Sequence, residues 1–448
     1  METPQDPPVC SLGSRLRYGS LVNSVSSLGP DTTQTAAKPP RSSYVAIAVL
    51  CYINLLNYME RYTIAGVLSD IQMFFNISDS TAGLLQTVFI CSFLLLAPLF
   101  GYLGDRYNRK YIMVGGLSVW LLTAAGSSFV SKSYFWLLVL LRALVGVGEA
   151  SYSTIAPTII GDLFTGGRRS IMICIFYIFI PVGSGLGYIT GAGSASLTGD
   201  WHWALRITPL MGAVGLVLMV FLCPNPPRGA AETQGDGMTG HSSYLEDVKY
   251  LLKTKSYVWS SLGVTALAFL TGALAFWLPT FLSRAHVTQG LRASCSGDTC
   301  DSTDSFVFGA VTIVTGILGG ALGTTLSRHL VGKFPQADPL ICAAGMLGSV
   351  PCLFIIIFVA SSSIPATYIS DAIRSSKPET HHWSFHSLKY SLILCPFVGI
   401  LGGMFFLITT LYITEDRKEV QRLVEADLQP QKGPTPDSSM EMSNKITD

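Results

Sequence analysis

Long apolar stretches separated by short polar ones fill the chain from residue 44 to residue 413. A helix needs about 20 mainly apolar residues to cross a bilayer, and ten stretches meet that length. We therefore predict an all-α polytopic membrane protein with ten membrane spans. The predicted spans are 44–67, 82–103, 111–130, 134–161, 171–193, 204–223, 257–282, 304–327, 339–360 and 388–413.

The composition supports the same class of protein. Of the 448 residues, 49% are hydrophobic and 13% are charged, whereas a soluble domain carries about 25% charged residues. The net charge of +1 indicates no attraction to nucleic acid. The sequence has no P-loop, which argues against an ATP-driven pump, and no nucleophile–base pair or metal-ligand cluster outside the charged spans. We therefore expect no enzyme activity, no cofactor and no metal site.

The spans fall into two groups. The stretch 224–256 is polar, contains three prolines near its start and separates six spans from four. It is predicted to be a cytoplasmic linker between an N-terminal six-helix bundle, 44–223, and a C-terminal bundle, 257–414. The polar segments 1–43 and 415–448 are predicted to be disordered cytoplasmic tails.

The distribution of Lys and Arg predicts which side each loop occupies. Cations are retained on the cytoplasmic side of a membrane, and an N-terminus in the cytoplasm puts most cationic loops there. The opposite loops 68–81 and 194–203 contain no Lys or Arg. We therefore predict that both termini are cytoplasmic and that Asn76, in an Asn-Ile-Ser glycosylation sequon, is outside. The cytoplasmic cations are Arg106, Arg109, Lys110, Arg168, Arg169, Arg228, Lys249, Lys253, Lys255, Arg328, Lys333, Arg417 and Lys418.

Most of the ten cysteines lie in apolar stretches, but two lie together in a polar loop. Cys295 and Cys300 flank Ser-Gly-Asp-Thr in a loop that the topology places outside the cytosol. An oxidising compartment favours a disulfide between them. Metal binding is the weaker alternative, because no His or further Cys is near in sequence.

Ionisable residues interrupt two of the spans. Span 1 contains adjacent Glu60 and Arg61, and span 4 contains Arg142 and Glu149. In span 4, Arg142, Gly146, Glu149 and Ser153 are separated by four, three and four residues, which places them on one helix face. Charges at membrane depth cost roughly 2.5–3.5 kcal/mol each on insertion scales, so they indicate a polar cavity or mutual pairing.

These four residues suit an anionic substrate coupled to protons. Arg61 and Arg142 keep their charge and are predicted to bind the anionic headgroup. Glu60 or Glu149 can exchange protons when desolvated, which would release an arginine for substrate. The alternative is a structural one, in which buried ion pairs only hold span 1 and span 4 to their neighbours.

Span 5 carries a ridge of small residues. Gly183, Gly187 and Gly191 recur every four residues, a spacing that favours close contact between helices. We predict that the ridge serves helix packing, with a role in gating as the alternative.

Several segments resemble the spinster family of the major facilitator superfamily of secondary transporters. The loop Gly101-Tyr-Leu-Gly-Asp-Arg-Tyr-Asn-Arg-Lys110 is similar to the superfamily's signature between helices 2 and 3. The resemblance extends from about residue 44 to 414, and the stretch 226–234 is most similar to one vertebrate branch of the family. The other segments that carry it are 51–59, 148–158, 181–188 and 199–206.

The resemblance implies a major facilitator fold and transport of lipids such as sphingosine-1-phosphate or lysophospholipids. The membrane would be the plasma membrane or that of the lysosome. The family's functional residues correspond to Glu60, Arg61, Arg142 and Glu149, although the family usually has Asp at position 60.

The signature loop corresponds to a conformational latch in the superfamily. Its residues here are Gly101, Asp105, Arg106, Arg109 and Lys110. Asp105 is expected to contact a neighbouring helix end, which in the superfamily is the end of span 11.

The chain departs from the family in its second half, which holds four spans where the superfamily has six. Family members continue through two more spans at the point where Tyr368 is here followed by Ile369. The resemblance thus implies an incomplete C-terminal bundle, as in an alternatively spliced product, that lacks spans 10 and 11. Three functions stay open: a lipid transporter, a carrier of another small organic anion, and a non-transporting or regulatory form that binds lipid or a full-length partner.

Overall fold

The computed structural model describes residues 40–226, 244–288, 303–362 and 380–428. These residues form twelve α-helices. They are α1 (Arg41–Gly66), α2 (Leu68–Phe75), α3 (Asp79–Arg106), α4 (Arg109–Ser127), α5 (Phe135–Leu163), α6 (Gly166–Thr198), α7 (His202–Leu222), α8 (Tyr244–Lys253), α9 (Lys255–Thr288), α10 (Thr303–Val331), α11 (Ala337–Ser362) and α12 (Thr380–Leu428).

Ten of these helices coincide with the ten predicted spans, and nine of the ten are long and apolar enough to cross a membrane. The exception is α4, which coincides with the third predicted span. It begins with Arg109 and Lys110 and contains several small or polar residues, and these lower its mean hydropathy. It still lies inside the bundle, packed between α5 and α7.

Two segments differ from their predicted state. Helix α12 continues to Leu428, well beyond the expected start of a disordered tail at residue 415. Contacts of the tail explain the continuation. The backbone N–H of Ser256 donates to the Asp416 carboxylate at 2.8 Å, and the Arg417 guanidinium donates to the carbonyl oxygen of Pro335 at 3.0 Å.

The predicted linker also contains a helix, α8. Its apolar residues Val248, Leu251 and Leu252 recur at helical spacing, which gives one apolar and one charged face. Residues 227–243 of that linker lie outside the described residues.

The first half is built around α1. This helix packs along α6 and α7, while α5 packs along α3 and α4. The core between them contains Leu50, Phe89, Trp120 and Tyr152, each at most 1% exposed. The Tyr152 hydroxyl donates to the carbonyl oxygen of Leu50 and so joins α5 to α1. Apolar side chains on the outside of the bundle, such as Leu95 and Leu122, are about three-quarters exposed, as expected of surfaces that face lipid.

The second half is less compact. Helices α9 and α11 pack on α12, whereas α10 packs mainly against α6 of the first half. The backbones of α6 and α10 cross closely, since a Cβ added to Gly309 would lie 2.6 Å from the carbonyl oxygen of Gly185. Only 6% of the most apolar stretch of α10 is buried, so the described residues cover little of this helix.

Besides the packing of α10 on α6, the halves are in contact at one end of the molecule, which we call the outer end and define by the loops at Asn76 and Asp200. There the Arg284 guanidinium of α9 donates to both carboxylate oxygens of Asp79 on α3, each at 2.7 Å. The Ser305 hydroxyl donates to the carbonyl oxygen of Gly66 at 3.4 Å. Arg284 and Lys132 are cations at the end that is predicted to lie outside the cytosol. The ion pair with Asp79 explains why Arg284 is found there.

Candidate functional site

The four ionisable residues predicted in spans 1 and 4 lie together between α1 and α5, and they pair crosswise. Arg142 donates to Glu60, and Arg61 donates to Glu149. Glu60 and Arg61, although adjacent in sequence, are not paired with each other. We call Glu60, Arg61, Arg142 and Glu149 the charged cluster. Two arginines and two glutamates make it neutral overall, which lowers the cost of its burial.

The charged cluster is almost inaccessible to solvent. Glu60 is 2% exposed, Arg142 is 1% and Glu149 is 0%, whereas the side chain of Arg61 keeps 17% of its exposure. Arg61 is therefore the member through which an incoming anion could first make contact.

Several polar atoms of the cluster are buried without a hydrogen-bond partner in the part of the chain that the structure describes. They include Oε2 of Glu60, Oε2 of Glu149, and Nε and Nη2 of Arg142. Both amide atoms of Asn57, one turn before Arg61 on α1, are in the same condition. Buried polar atoms are normally bonded, so this group has spare capacity to bind a polar or charged ligand.

Aromatic rings surround the arginines. The ring of Phe89 on α3 lies 4.8 Å from the Arg61 guanidinium carbon and 5.6 Å from that of Arg142. Tyr58 contributes a second ring, 4.9 Å from Arg61. These cation–π contacts hold the guanidinium groups in a low-dielectric environment. Gly146 brings α3 this close, because a Cβ there would lie 2.5 Å from the carbonyl oxygen of Phe89.

The glycine ridge of α6 packs directly against α1, beside the charged cluster. A Cβ added to Gly183 would lie 2.5 Å from the carbonyl oxygen of Leu55, and one added to Gly191 would lie 2.8 Å from that of Thr63. Gly187 faces the carbonyl oxygen of Met59 in the same way. Any larger side chain on the ridge would push apart two helix backbones, one of which carries Glu60 and Arg61.

The signature loop is held to its own half. Arg109 is buried, pairs with Asp162 at the end of α5 and donates to the carbonyl oxygen of Gly104 at 3.3 Å. Arg106 lies over the ring of Tyr102, at 4.6 Å from its centroid.

The other latch residues make fewer contacts. The backbone N–H of Lys110 donates to the Asn108 side chain at 3.1 Å and so begins α4. A Cβ added to Gly101 would meet no atom within 4 Å. Asp105 is exposed and forms no hydrogen bond or ion pair with any described residue.

A cavity of about 830 Å³ lies between α3, α9 and α12. Gly83 of α3, Gly272 and Trp277 of α9, and Leu392 of α12 are among its lining residues. None of the charged cluster lines it. Phe89, which contacts both arginines, is next to Ile90, which lines the cavity, so α3 forms the wall between the two.

The remaining predicted sites are the glycosylation sequon and the cysteine pair. Asn76 is exposed and has a left-handed backbone, φ 53°, between α2 and α3. Ser78 of the same sequon begins α3, since its hydroxyl accepts from the backbone N–H of Thr81 at 3.4 Å. Cys295 and Cys300 lie outside the described residues.

Asp162, Phe89 and Asn57 were not among the predicted site residues. Asp162 and Phe89 had no signal in the sequence, because each meets its arginine only through tertiary packing. Asn57 did have a signal in the sequence, because it precedes Glu60 by three residues and so lies on the same helix face.

Comparison with known proteins agrees with this architecture. The Major Facilitator Superfamily profile matches residues 50–423. Spinster homolog 3 of Danio rerio is 57% identical over 463 residues, covering 91% of this chain and 93% of the relative. Human spinster homolog 1 is 47% identical, covering 87% of this chain and 85% of the relative. Homolog 3 is the branch that residues 226–234 indicate.

A solved structure shows the same fold. It is the crystal structure of a bacterial homolog of the human lysosomal transporter Spinster, in an inward-facing and unoccupied conformation. The two chains superpose with a TM-score of 0.58 at 20% sequence identity, covering 87% of this chain and 80% of that one.

Part of the alignment with the zebrafish relative has no counterpart in this chain. Because 91% of 448 residues is about 408, about 55 of the 463 aligned positions have no counterpart here. The family itself is clear from the profile and the high identities. The chain is an integral multi-pass membrane protein and belongs to the spinster family of Major Facilitator Superfamily transporters.

Proposed function

We propose that this chain is a secondary transporter of single-chain lipids with an anionic headgroup, of the sphingosine-1-phosphate or lysophospholipid type. The crosswise pairing in the charged cluster carries the proposal. Each arginine is neutralised by one glutamate. A phosphate can take the place of that glutamate, because it too accepts charge-assisted hydrogen bonds from a guanidinium and can do so bidentately. Arg61 and Arg142 are the proposed headgroup ligands.

Proton exchange at the glutamates completes the proposed cycle. Protonation of Glu60 or Glu149 would remove its charge, weaken its hold on the paired arginine and free that arginine for the lipid. Release of the proton on the other side would restore the ion pair and expel the headgroup. The two halves would alternate their access around this site, with the glycine ridge and the signature loop as packing and latch elements.

The second half bears on whether the cycle runs to completion. We propose that the chain lacks two spans between Tyr368 and Ile369. The aligned positions without a counterpart support this, since about 55 residues suffice for two spans and their loops. Asp105 has no partner among the described residues, which is consistent with a missing span 11.

A non-transporting or regulatory form is therefore the second candidate, and the same missing spans favour it. A carrier of another small organic anion is a third, because the arginines recognise the headgroup and not the chain. The proposed membrane is the plasma membrane or the lysosomal membrane, with glycosylation of Asn76 on the outer side.

The test is export and uptake of radiolabelled sphingosine-1-phosphate and lysophosphatidylcholine by cells that express the full chain. Arg142→Ser should abolish transport. Arg206→Ser is the matched control, because Arg206 lies between the rings of Phe129 and Trp203 at the outer end, away from the cluster.

Two outcomes separate the candidates. If the chain reaches the membrane and transports neither lipid, the two spans proposed to be missing should be taken from a relative and inserted after Tyr368. If this insertion restores transport, the shorter chain is a non-transporting form. Transport that survives Arg142→Ser would contradict the role of the charged cluster.

A further inference from the structure

A second, much smaller cavity lies at the outer end, where the two halves meet. The end of α1 and the start of α2 form one wall, and α9 and the start of α10 form the other. Its volume of about 20 Å³ is room for one water-sized ligand. We call this space the outer cavity. Its polar lining residues are Ser69, Asp70, Thr280, Ser283, Asp304 and Ser305.

Each half of the protein contributes one carboxylate to the outer cavity. Asp70 of α2 is 5% exposed, and the side chain of Asp304 of α10 is 11% exposed. Nδ1 of His286 lies 3.2 Å from the Asp304 carboxylate, although His286 is not among the lining residues. Removing two carboxylates from water is unfavourable unless positive charge or hydrogen bonds stabilise them. A cation in the cavity would lie beside both.

Hydroxyl groups in the outer cavity have spare hydrogen-bonding capacity. Thr280 is 4% exposed, and its hydroxyl forms no hydrogen bond with any residue that the structure describes. By contrast, the hydroxyl of Thr271, earlier on the same helix, donates to the carbonyl oxygen of Leu267 at 2.9 Å. Buried polar atoms are normally bonded, so the Thr280 hydroxyl indicates a ligand. Ser69 and Ser283 are partly exposed and give the ligand a path from the outer side.

The chemistry of the lining selects the kind of ligand. Carboxylate and hydroxyl oxygens bind hard cations, whereas imidazole and thiol groups, which favour transition metals, do not occur among the described lining residues. Ca²⁺ takes about six to eight oxygen ligands. A space for one water-sized ligand, lined mostly by neutral hydroxyls, suits a monovalent ion better. Na⁺ is the principal small cation of extracellular fluid.

The position of the outer cavity links such an ion to conformation. Because the lining comes from both halves, the cavity is complete only while the outer end is closed. The hydroxyl of Ser305 donates to the carbonyl oxygen of Gly66 across the same boundary at 3.4 Å. A ligand that binds one conformation and not the other shifts the population towards the first.

We propose that the outer cavity binds one Na⁺ ion from the outer medium and that the bound ion stabilises the closed outer end. Asp70, Asp304 and Thr280 are the principal ligands, and the serine hydroxyls complete the coordination. This binding does not depend on the transport of lipid, because closure of the two halves is enough to form the site.

The test is thermal unfolding of the purified full chain in detergent, in NaCl or in choline chloride at the same ionic strength of about 0.15 M. Na⁺ should raise the melting temperature by about 2 °C, and the rise should saturate as the Na⁺ concentration increases. KCl should give a smaller rise, since K⁺ is the larger ion.

Two variants remove ligand oxygens from opposite sides of the argument, one neutral and one charged. Thr280→Val keeps the shape of the side chain without its hydroxyl, and Asp304→Asn removes a charge. Each should abolish the difference between NaCl and choline chloride. Thr271→Val on the same helix and Asp200→Asn at an outer loop are the matched controls and should keep the difference, because neither residue lines the cavity.

Hydrogen exchange measured by mass spectrometry locates the effect. Na⁺ should slow the exchange of backbone amides in residues 66–72 and 279–286, which belong to opposite halves. Exchange in residues 199–203, at the outer end but away from the cavity, should not change.

Three results would overturn the proposal. Equal melting temperatures in NaCl and choline chloride would remove the site, as would a Na⁺ response that survives either Thr280→Val or Asp304→Asn. Stabilisation by Ca²⁺ and not by Na⁺ would show that the choice of ion is wrong. Slower exchange in one half alone would contradict the link to closure of the outer end.

Discussion

Glu60 is bonded to Arg142, which is 82 residues away in sequence, and not to its neighbour Arg61. Glu60 on α1 thus neutralises Arg142 on α5, and Arg61 on α1 in turn donates to Glu149 on α5. Neither helix can shift along the other without disturbing both pairs. The crosswise arrangement joins the two helices at two points and places two buried carboxylates beside two arginines.

The first prediction concerns pH. Glu60→Gln keeps the shape of the side chain but cannot exchange a proton, so transport should lose its dependence on pH. The measurement is the initial rate of lipid transport as a function of pH. Asp200→Asn, at an outer loop, is the control. An unchanged pH profile in Glu60→Gln would remove Glu60 from the proton pathway and leave Glu149→Gln as the variant to test.

The second prediction concerns stability. Arg142→Leu leaves the carboxylate of Glu60 buried without its partner, which should cost about 3–5 kcal/mol of unfolding free energy. The double variant Glu60→Leu/Arg142→Leu removes both charges and should recover most of that loss. Thermal unfolding of the purified protein in detergent checks this. A double variant that is as unstable as the sum of its two single variants would show that the residues are not coupled.

The third prediction concerns the glycine ridge. A methyl group on Gly183 would lie 2.5 Å from the carbonyl oxygen of Leu55, so Gly183→Ala should force α1 and α6 apart. We expect a loss of about 1–3 kcal/mol, as for other overpacked sites. Gly115→Ala is the matched control, because a Cβ there meets nothing within 4 Å. Equal melting temperatures for the two variants would contradict the close approach.

The fourth prediction concerns the outer end. Arg284→Gln breaks the charge-assisted bonds to Asp79, each worth about 1.5–3 kcal/mol, and should raise the population that is open at this end by roughly tenfold or more. The measurement is the rate at which a membrane-impermeant thiol reagent labels a cysteine at Thr280, which is buried there, relative to the same chain without Thr280→Cys.

A charge exchange provides the specific control for that result. Asp79→Arg combined with Arg284→Asp restores the pair in reverse and should return labelling towards its original rate. Lys132→Gln removes another outer cation and should have no effect. If Arg284→Gln labels no faster than the parent chain, Arg284 and Asp79 do not hold the outer end closed.

The apolar stretches predicted the helices well because span length follows directly from bilayer thickness. The spacing of Arg142, Gly146, Glu149 and Ser153 likewise predicted one helix face. Which side chains form ion pairs with each other could not be predicted from span length or helical spacing. Helical periodicity places a residue on a face but does not say which helix meets that face, so the Glu60–Arg142 and Arg109–Asp162 pairs required the tertiary structure.

The same limit explains the two differences in secondary structure. Hydropathy identifies membrane spans, so the polar segments after residues 243 and 414 are predicted to be linker and tail. Each is nevertheless helical, α8 because its apolar residues recur at helical spacing and the end of α12 because Asp416 and Arg417 bond to neighbouring segments. Short amphipathic or tethered helices of this kind carry little hydropathy signal.

The crossing of α6 and α10 has a mechanical consequence. At Gly185 and Gly309 no side chain separates the two backbones, and above and below this point the side chains of Tyr188 and Ile313 stand on either side. Sliding one helix along the other would drive these side chains into a backbone. A further close contact, between Gly316 and Pro181, lies along the same pair of helices. We therefore expect α6 and α10 to keep their register when the two halves move relative to each other, with Gly185 and Gly309 where their backbones meet.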